Sequence, residues 1–101
     1  MASKDRTRKK LRVPDEVVAL IRGCHPQLKR KIRAGLLHIV TEAESGKSLK
    51  DELAGLKSYR LSRFRIIYRL STKQTINIVA IGPRKAIYEE TYRIIKKESN
   101  L

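Results

Sequence analysis

The sequence predicts a small α+β fold in a single domain spanning residues 1–101. Apolar residues recur at three- and four-residue steps in the first half of the chain, and they alternate with polar residues in the second half. The length of 101 residues suits one domain with a modest core. The predicted order is β-α-α-β-β-β-α: an antiparallel-dominated sheet with an N-terminal helical hairpin on one face and a C-terminal helix.

The N-terminal segment is predicted to be a basic arm that leads into a short strand and a helix. Residues 1–10 hold five cations and one carboxylate, and we expect them to be flexible. A strand near 10–13 would place Leu11 and Val13 inward. The helix would begin at Asp15, after a proline, and end near residue 23.

A second helix is predicted to begin at Pro26, because proline suits the first position of a helix. Its apolar residues recur at helical spacing and form one buried stripe. The stripe consists of Leu28, Ile32, Leu36, Ile39 and Ala43. Ser45-Gly46 supplies a typical helix stop. The two helices form an antiparallel pair that needs an apolar partner surface.

The remaining chain predicts that partner surface. Residues 57–61 and 64–70 alternate as strands around a tight turn near Ser62-Arg63. The segment Thr75–Ile81 is apolar on both faces, as expected of a central strand, and it follows a predicted turn over residues 72–74. A last helix is predicted over residues 87–97, with an apolar stripe that includes Ile87 and Ile94.

The distribution of charge is the strongest functional signal. The formal net charge is +14, which favours a polyanionic partner, either nucleic acid or an acidic protein. From Leu53 to Tyr88 the chain carries no carboxylate. The same stretch carries eight cations, which are Lys57, Arg60, Arg63, Arg65, Arg69, Lys73, Arg84 and Lys85. Because apolar residues alternate with them, we expect a rigid cationic surface rather than a floppy tail.

Four of these side chains form the predicted site. Arg60 and Arg65 lie on adjacent predicted strands and point away from the core, while Arg84 and Tyr88 follow the next strand. We expect them to converge on an open sheet face. Arginines can catalyse RNA cleavage by positioning the 2′-hydroxyl and stabilising the phosphorane. A surface that only grips phosphates would have the same residues, so both interpretations stand at this point.

The sequence does not contain the residues that other common reaction classes require. The chain has no plausible hydrolase triad, no glycine-rich phosphate loop and no cluster with metal-ligand spacing. No metal and no cofactor are therefore predicted. The apolar runs are too short to span a bilayer, and the single cysteine fits a reducing compartment, so a cytoplasmic protein without a membrane partner is expected.

Several short motifs together resemble the RelE/ParE toxin superfamily of type II toxin–antitoxin systems. They are Gly46-Lys47-Ser48-Leu49, Leu53-Ala54-Gly55-Leu56, Tyr59-Arg60-Leu61, Phe64-Arg65-Ile66-Ile67-Tyr68, Gly82-Pro83-Arg84 and Tyr88-Glu89. The similarity runs from roughly residue 11 to residue 97. The resemblance implies that Arg65, Arg84 and Tyr88 match the family's catalytic positions. Arg60 stands where the family has a strand lysine, and a second family lysine would fall at Ser62.

The resemblance leaves three functions open. RelE-like members are endoribonucleases that cut messenger RNA on the ribosome, and retention of the four site residues favours this branch. ParE-like members inhibit DNA gyrase instead, and a basic RNA-binding module without activity is the third alternative. The expected protein partner is a cognate antitoxin segment that folds onto the positive surface. Further predicted nucleic-acid contacts are Lys47, Lys50, Lys57, Arg63, Arg69 and Lys85.

Overall fold

The computed structural model describes residues 9–72 and 74–99. Most of the predicted N-terminal arm, and Lys73 in the predicted turn, lie outside the described residues. The elements follow in the order β1 (Lys10–Arg12), α1 (Asp15–Arg22), α2 (Pro26–Thr41), β2 (Lys47–Ser48), β3 (Lys57–Leu61), β4 (Phe64–Thr72), β5 (Thr75–Pro83) and α3 (Arg84–Ser99). Short 3₁₀ turns occupy Ala43–Ser45 and Asp51–Leu53. The α+β fold class predicted from the sequence is confirmed.

The strands form one mixed sheet in the order β1-β5-β4-β3-β2. β1 pairs with β5 in parallel, and the other neighbours are antiparallel. The predicted central strand, β5, therefore has a neighbour on each side. β2 was not predicted, because a two-residue strand is too short to show alternation.

The first core lies between the sheet and the helical hairpin of α1 and α2. Ile66 and Tyr68 of β4 pack there with Ile32 and Ile39 of α2, and all four side chains are fully buried. The apolar stripe of the predicted second helix thus faces the sheet. Ala43 also joins this core, but it lies in the 3₁₀ turn that follows α2 rather than in the helix.

The opposite sheet face is covered by α3 and is not open as the sequence predicted. Ile67 of β4 and Ala80 of β5 pack there against Ile87, with Ile94 and Ile95 at the margin. The prediction was wrong on this point because alternation within a strand says which residues share a face but not what covers that face.

A β-bulge in β5 explains how one strand serves both cores. The register shifts by one residue between the pairs Ile67–Ala80 and Tyr68–Ile78, which leaves Val79 without a partner in β4. Ile78 and Ile81 then face the helical hairpin, whereas Val79 and Ala80 both face α3.

The tight turn between β3 and β4 contains a residue in the left-handed region. Ser62 has φ 58°, which residues other than glycine adopt at a cost of about 1–2 kcal/mol. Its side chain is exposed. The turn is therefore held in a conformation that its sequence does not favour.

We expect Ser62→Gly to raise the free energy of unfolding by about 0.5–1 kcal/mol. The variant relieves the left-handed strain, and the greater freedom of glycine in the unfolded chain cancels part of that gain. Urea unfolding would measure the change. The matched control is Ser48→Gly, an exposed position of β2 without a positive φ, where stability should fall. A loss of stability in Ser62→Gly as large as in the control would contradict the interpretation.

Tyr68 ties β4 to the loop between α2 and β2. Its buried hydroxyl donates to the Ala43 carbonyl at 2.7 Å and accepts from the Gly46 amide at 3.0 Å. A Cβ at Gly46 would lie 2.5 Å from the Tyr68 hydroxyl oxygen, so only glycine allows this close approach. Burial raises the pKa of the Tyr68 phenol above 10.0, and the Gly46 hydrogen bond and the charge of Lys57 partly offset that effect.

We expect stability to fall as pH rises above about 10. The phenol ionises near pH 10 in the unfolded chain but at higher pH in the folded protein, so unfolding releases a proton in that interval. The stabilisation is fully present below pH 10 and is lost as pH rises through the folded-state value. Urea unfolding at about pH 8 and about pH 11 measures the decrease, and Tyr68→Phe should lose less stability over the same interval. An equal decrease in both proteins would contradict this prediction.

In the described part of the chain, every helix falls short of the length and apolar character that a membrane span requires.

Candidate functional site

Two of the predicted site arginines face each other across neighbouring strands. Arg60 of β3 and Arg65 of β4 are direct partners in the register, and Arg65 is in turn opposite Gly82 of β5. Residues directly opposite in an antiparallel pair share a sheet face, and like charges in these positions destabilise the pair. Both side chains lie on the face that α3 covers, near the turn between β3 and β4.

A surface cavity of about 340 Å³ lies at this turn. Its lining residues are Arg60, Ser62, Arg63, Pro83, Arg84 and Lys85. We call it the arginine cavity. The backbone amide of Arg84 donates to the Arg63 carbonyl at 2.9 Å, which fixes the start of α3 against the turn. The structure therefore brings Arg60 and Arg84 to one cavity, although they are 24 positions apart in the sequence.

The cavity lies at the N-terminus of α3. Arg84 and Lys85 begin this 16-residue helix, and its first turn holds no acidic residue. The positive end of the helix dipole favours anions there, and cations are unfavourable by about 0.3–1 kcal/mol each. An incoming phosphate would interact favourably with both the dipole and the side chains. Helix α3 begins at Arg84, directly after β5, whereas the sequence predicted a start near Ile87.

Arg65 does not line the arginine cavity. It is half-buried, and its Nε atom is buried without a hydrogen-bond partner. Salt bridges elsewhere in the described residues involve Lys57, Arg69 and Arg93 but not Arg65. A buried guanidinium nitrogen without a hydrogen-bond partner costs free energy, so this atom lowers the stability of the folded protein.

Tyr88 lies one helical turn after Arg84 and is anchored to the sheet. Its hydroxyl is 3.1 Å from the Ser58 hydroxyl, and either oxygen can donate. Ser58 lies two residues before Arg60 in β3 and on the same face, and it is buried. The four predicted site residues, Arg60, Arg65, Arg84 and Tyr88, thus gather on one side of the molecule.

The other predicted nucleic-acid contacts divide into two groups. Arg63 and Lys85 line the arginine cavity, and Lys47 is opposite Ser58 in the register and so shares its face. Lys50 is exposed in the loop after β2. Arg63, Lys85 and Lys47 therefore lie on the side of the molecule where the site residues gather.

Lys57 and Arg69 lie away from the arginine cavity. Lys57 is opposite Tyr68, on the face of the helical hairpin, where it forms a 3.0 Å ion pair with Glu44 and donates to the Ser48 hydroxyl. Arg69 lies four residues beyond Arg65 in β4, about 13 Å along the strand, and pairs with Glu98 at 3.7 Å. The structure does not bring these two side chains to the arginine cavity, and each is paired with a carboxylate instead.

Carboxylates are distributed unevenly among the surface cavities. None lines the arginine cavity, whereas a larger cavity beside β1 includes Glu16 and Glu98, and another beside the 3₁₀ turn includes Glu42 and Glu44. Within residues 9–72 and 74–99 no group of three His, Cys, Asp or Glu side chains is placed to hold a metal ion. The chemistry available at the arginine cavity is that of guanidinium, ammonium and hydroxyl groups.

Sequence reasoning missed Ser58 and Glu44. A serine inside an alternating strand carries no signal that it will bond a tyrosine 30 residues away. Glu44 lies just before the carboxylate-free stretch, and only the folded structure shows that it neutralises Lys57.

Comparison with known proteins identifies the family. The model for the ParE toxin of type II toxin–antitoxin systems (parDE) matches residues 8–88. A search of curated proteins found no match.

Solved structures show the same fold at low sequence identity. A RelBE2 toxin–antitoxin complex from Mycobacterium tuberculosis has a chain with 22% identity and a TM-score of 0.68, covering 76% of this chain and 99% of its own. A free mutant of the E. coli toxin RelE, with two arginines replaced by alanine, has 14% identity and a TM-score of 0.70. The match covers 90% of this chain and 97% of the RelE chain. A chain of an archaeal RelE–RelB complex from Pyrococcus horikoshii has 22% identity and a TM-score of 0.61. The match covers 75% of this chain and 94% of the archaeal chain. The chain belongs to the ParE toxin family, within the RelE/ParE superfamily, and is the toxin of a type II toxin–antitoxin system.

Proposed function

We propose that this toxin is an endoribonuclease that cleaves messenger RNA on the ribosome, with the scissile phosphate in the arginine cavity. One observation carries the proposal: cations are concentrated where they destabilise the folded protein. Arg60 opposes Arg65 across two strands, and Arg84 and Lys85 begin a helix without any acidic neighbour in its first turn. A bound polyanion would relieve both unfavourable arrangements.

The reaction would be an internal transesterification. The 2′-oxygen attacks the adjacent phosphorus, the bond to the 5′-oxygen breaks, and a 2′,3′-cyclic phosphate forms. The 2′-hydroxyl loses its proton, and the departing 5′-oxygen gains one. Negative charge grows on the phosphoryl oxygens between these events, so preorganised cations lower the barrier. The protein's main contributions would be alignment and charge stabilisation.

Each site residue has a proposed role. Arg84 and Arg60 would contact the phosphoryl oxygens, since both line the cavity. Arg65, directly opposite Arg60, would strengthen the positive potential without lining the cavity. Tyr88, held by Ser58, would orient the nucleotide by stacking or by a hydroxyl contact.

The identity of Arg60 shapes the expected mechanism. The resemblance places a lysine at this position in the family, and a guanidinium stays charged and is a poor base. Ser62, which stands where a second family lysine would fall, supplies no base either. We therefore propose that Arg60 promotes ionisation of the 2′-hydroxyl electrostatically, by favouring its charged form.

The decisive experiment adds purified protein to ribosomes programmed with a defined message and maps the breaks. The wild-type protein should cut the message, and the Arg65→Ala/Arg84→Ala double variant should not. The double variant Arg22→Ala/Arg93→Ala has the same net charge and should retain cleavage. Binding without any product would instead indicate a basic RNA-binding module and would overturn the proposal.

Inhibition of DNA gyrase is the second candidate, and the match to the ParE family model favours it. ParE-like proteins share this fold, and the same cationic surface could meet an acidic patch on another protein. A supercoiling assay separates the two functions. Inhibition of gyrase together with intact messages would establish the second candidate.

The proposed partner is a cognate antitoxin. The solved relatives include RelE chains in complex with RelB, and the net charge of +14 favours an acidic partner segment. Because the proposed site and its cavity are exposed at the surface, an acidic segment covering the arginine cavity would block RNA access. Addition of the antitoxin should therefore abolish message cleavage.

A further inference from the structure

A second cavity lies on the other side of the turn between β3 and β4. Its volume is about 380 Å³, and its lining includes His25, Leu28, Lys31, Ser62, Arg63 and Phe64. We call it the aromatic cavity. Ser62 and Arg63 line both cavities, so the two meet at the turn. Phe64 shares the sheet face of the helical hairpin, so a ligand in both cavities would bend over this end of the sheet.

The aromatic cavity resembles the arginine cavity in charge. No carboxylate lines it, and Lys31 and Arg63 supply two cations. Another cavity, between α1 and α3, has two carboxylates, Glu16 and Glu90, which offset its two cations. The path over the turn from one cavity to the other is therefore favourable for a continuous polyanion.

The aromatic cavity also offers ring surfaces, which the arginine cavity does not. Phe64 is half-buried against the first core, which fixes its position. His25 is exposed, and its Nδ1 accepts from the Gln27 backbone amide at 3.2 Å, which fixes the imidazole at the start of α2. Fixed rings next to cations are typical of sites that bind single-stranded nucleic acid by base stacking.

We propose that the aromatic cavity binds a nucleotide that neighbours the cleaved one in the RNA strand. The inference rests on the proposed function, because it extends the substrate path beyond the scissile phosphate. The base stacks on Phe64 and His25, and the adjoining phosphate contacts Lys31 and Arg63. Since the cavities share the turn residues, a short run of single-stranded RNA reaches both. The cavity would then select for an unpaired, flexible message around the cleavage point.

The test measures binding of an uncleavable RNA by fluorescence anisotropy. The probe is a short single-stranded RNA oligonucleotide with 2′-O-methyl groups at every position. A series of further probes has the same sequence, and each of them lacks the base at one position. With the wild-type protein, removal of one particular base should weaken binding about tenfold. In Phe64→Leu the same removal should change binding less than about threefold, because only His25 is then left to stack on the base. The control Tyr92→Leu alters an exposed aromatic residue of α3 and should keep the tenfold effect.

A second variant tests the phosphate contact without touching the core. Lys31→Gln should lower the slope of log affinity against log salt by about one, whereas Lys96→Gln on α3 should not. Phe64→Leu preserves apolar character, and a thermal melt checks that it folds; if it does not, the Lys31→Gln result decides. An unchanged base effect in folded Phe64→Leu, or an unchanged salt slope in Lys31→Gln, would overturn the proposal. Because the probe cannot be cleaved, either result stands apart from the message-cleavage assay.

Discussion

Replacing Arg84 by alanine is expected to slow message cleavage by about 100- to 1,000-fold. Arg84 lines the arginine cavity at the N-terminus of α3, and its guanidinium would contact the phosphate as charge develops. Removal of one preorganised donor of this kind typically costs two to three orders of magnitude in rate. Single-turnover cleavage on programmed ribosomes would measure the effect.

The same variant should be at least as stable as the wild-type protein. Its side chain is exposed, and a cation at the start of a helix opposes the helix dipole by about 0.3–1 kcal/mol. We therefore expect a gain in the free energy of unfolding of that size together with the loss of activity. Such opposite changes identify a residue retained for function rather than for folding.

Arg93→Ala is the matched control for Arg84→Ala. It removes the same charge from the same helix, nine positions later, where the side chain pairs with Glu89 at 3.5 Å. Cleavage should stay within about twofold of wild type, because an exposed pair of this kind contributes little and lies away from the cavity. Cleavage by Arg84→Ala at a wild-type rate would sink the site assignment. An equal loss in both variants would point to general electrostatic attraction instead.

The helices and the central strands were predictable because burial leaves a periodic pattern. The stripe from Leu28 to Ile39 and the alternation in β4 each face one core, and both faces of β5 are apolar. The bulge at Val79 was not predictable, since an extra residue in a wholly apolar run leaves the pattern unchanged. The packing of α3 on the second sheet face was not predictable either. A helix with one apolar side can cover any exposed sheet face, and its sequence does not say which.

The site was predictable in composition but not in shape. Absence of carboxylates from Leu53 to Tyr88 identified the cationic region, and strand alternation placed Arg60 and Arg65 on one face. The same alternation places Lys57 on the opposite sheet face. Its ion pair with Glu44 was not predictable, because Glu44 lies in the loop after α2, whose position the sequence pattern does not give. The cavity itself arises because α3 begins immediately at Arg84, a boundary that the apolar stripe starting at Ile87 does not reveal.

The second large effect concerns stability: Tyr68→Phe is expected to lower the free energy of unfolding by about 1–3 kcal/mol. The variant keeps the buried ring but removes the hydroxyl that bonds the Ala43 carbonyl and the Gly46 amide. Both backbone groups belong to buried residues, so they would lose a partner without gaining water. Urea unfolding near neutral pH would measure the loss.

Tyr92→Phe is the control for this experiment, because Tyr92 is 39% exposed and water can satisfy its hydroxyl. Its stability should change by less than about 0.5 kcal/mol. The Tyr68 variant should also loosen the loop before β2, because the hydroxyl links that loop to β4. Hydrogen exchange at the Gly46 amide should therefore accelerate more than exchange in the centre of β4. Unchanged protection at Gly46, with stability equal to wild type, would show that the loop is held by packing alone.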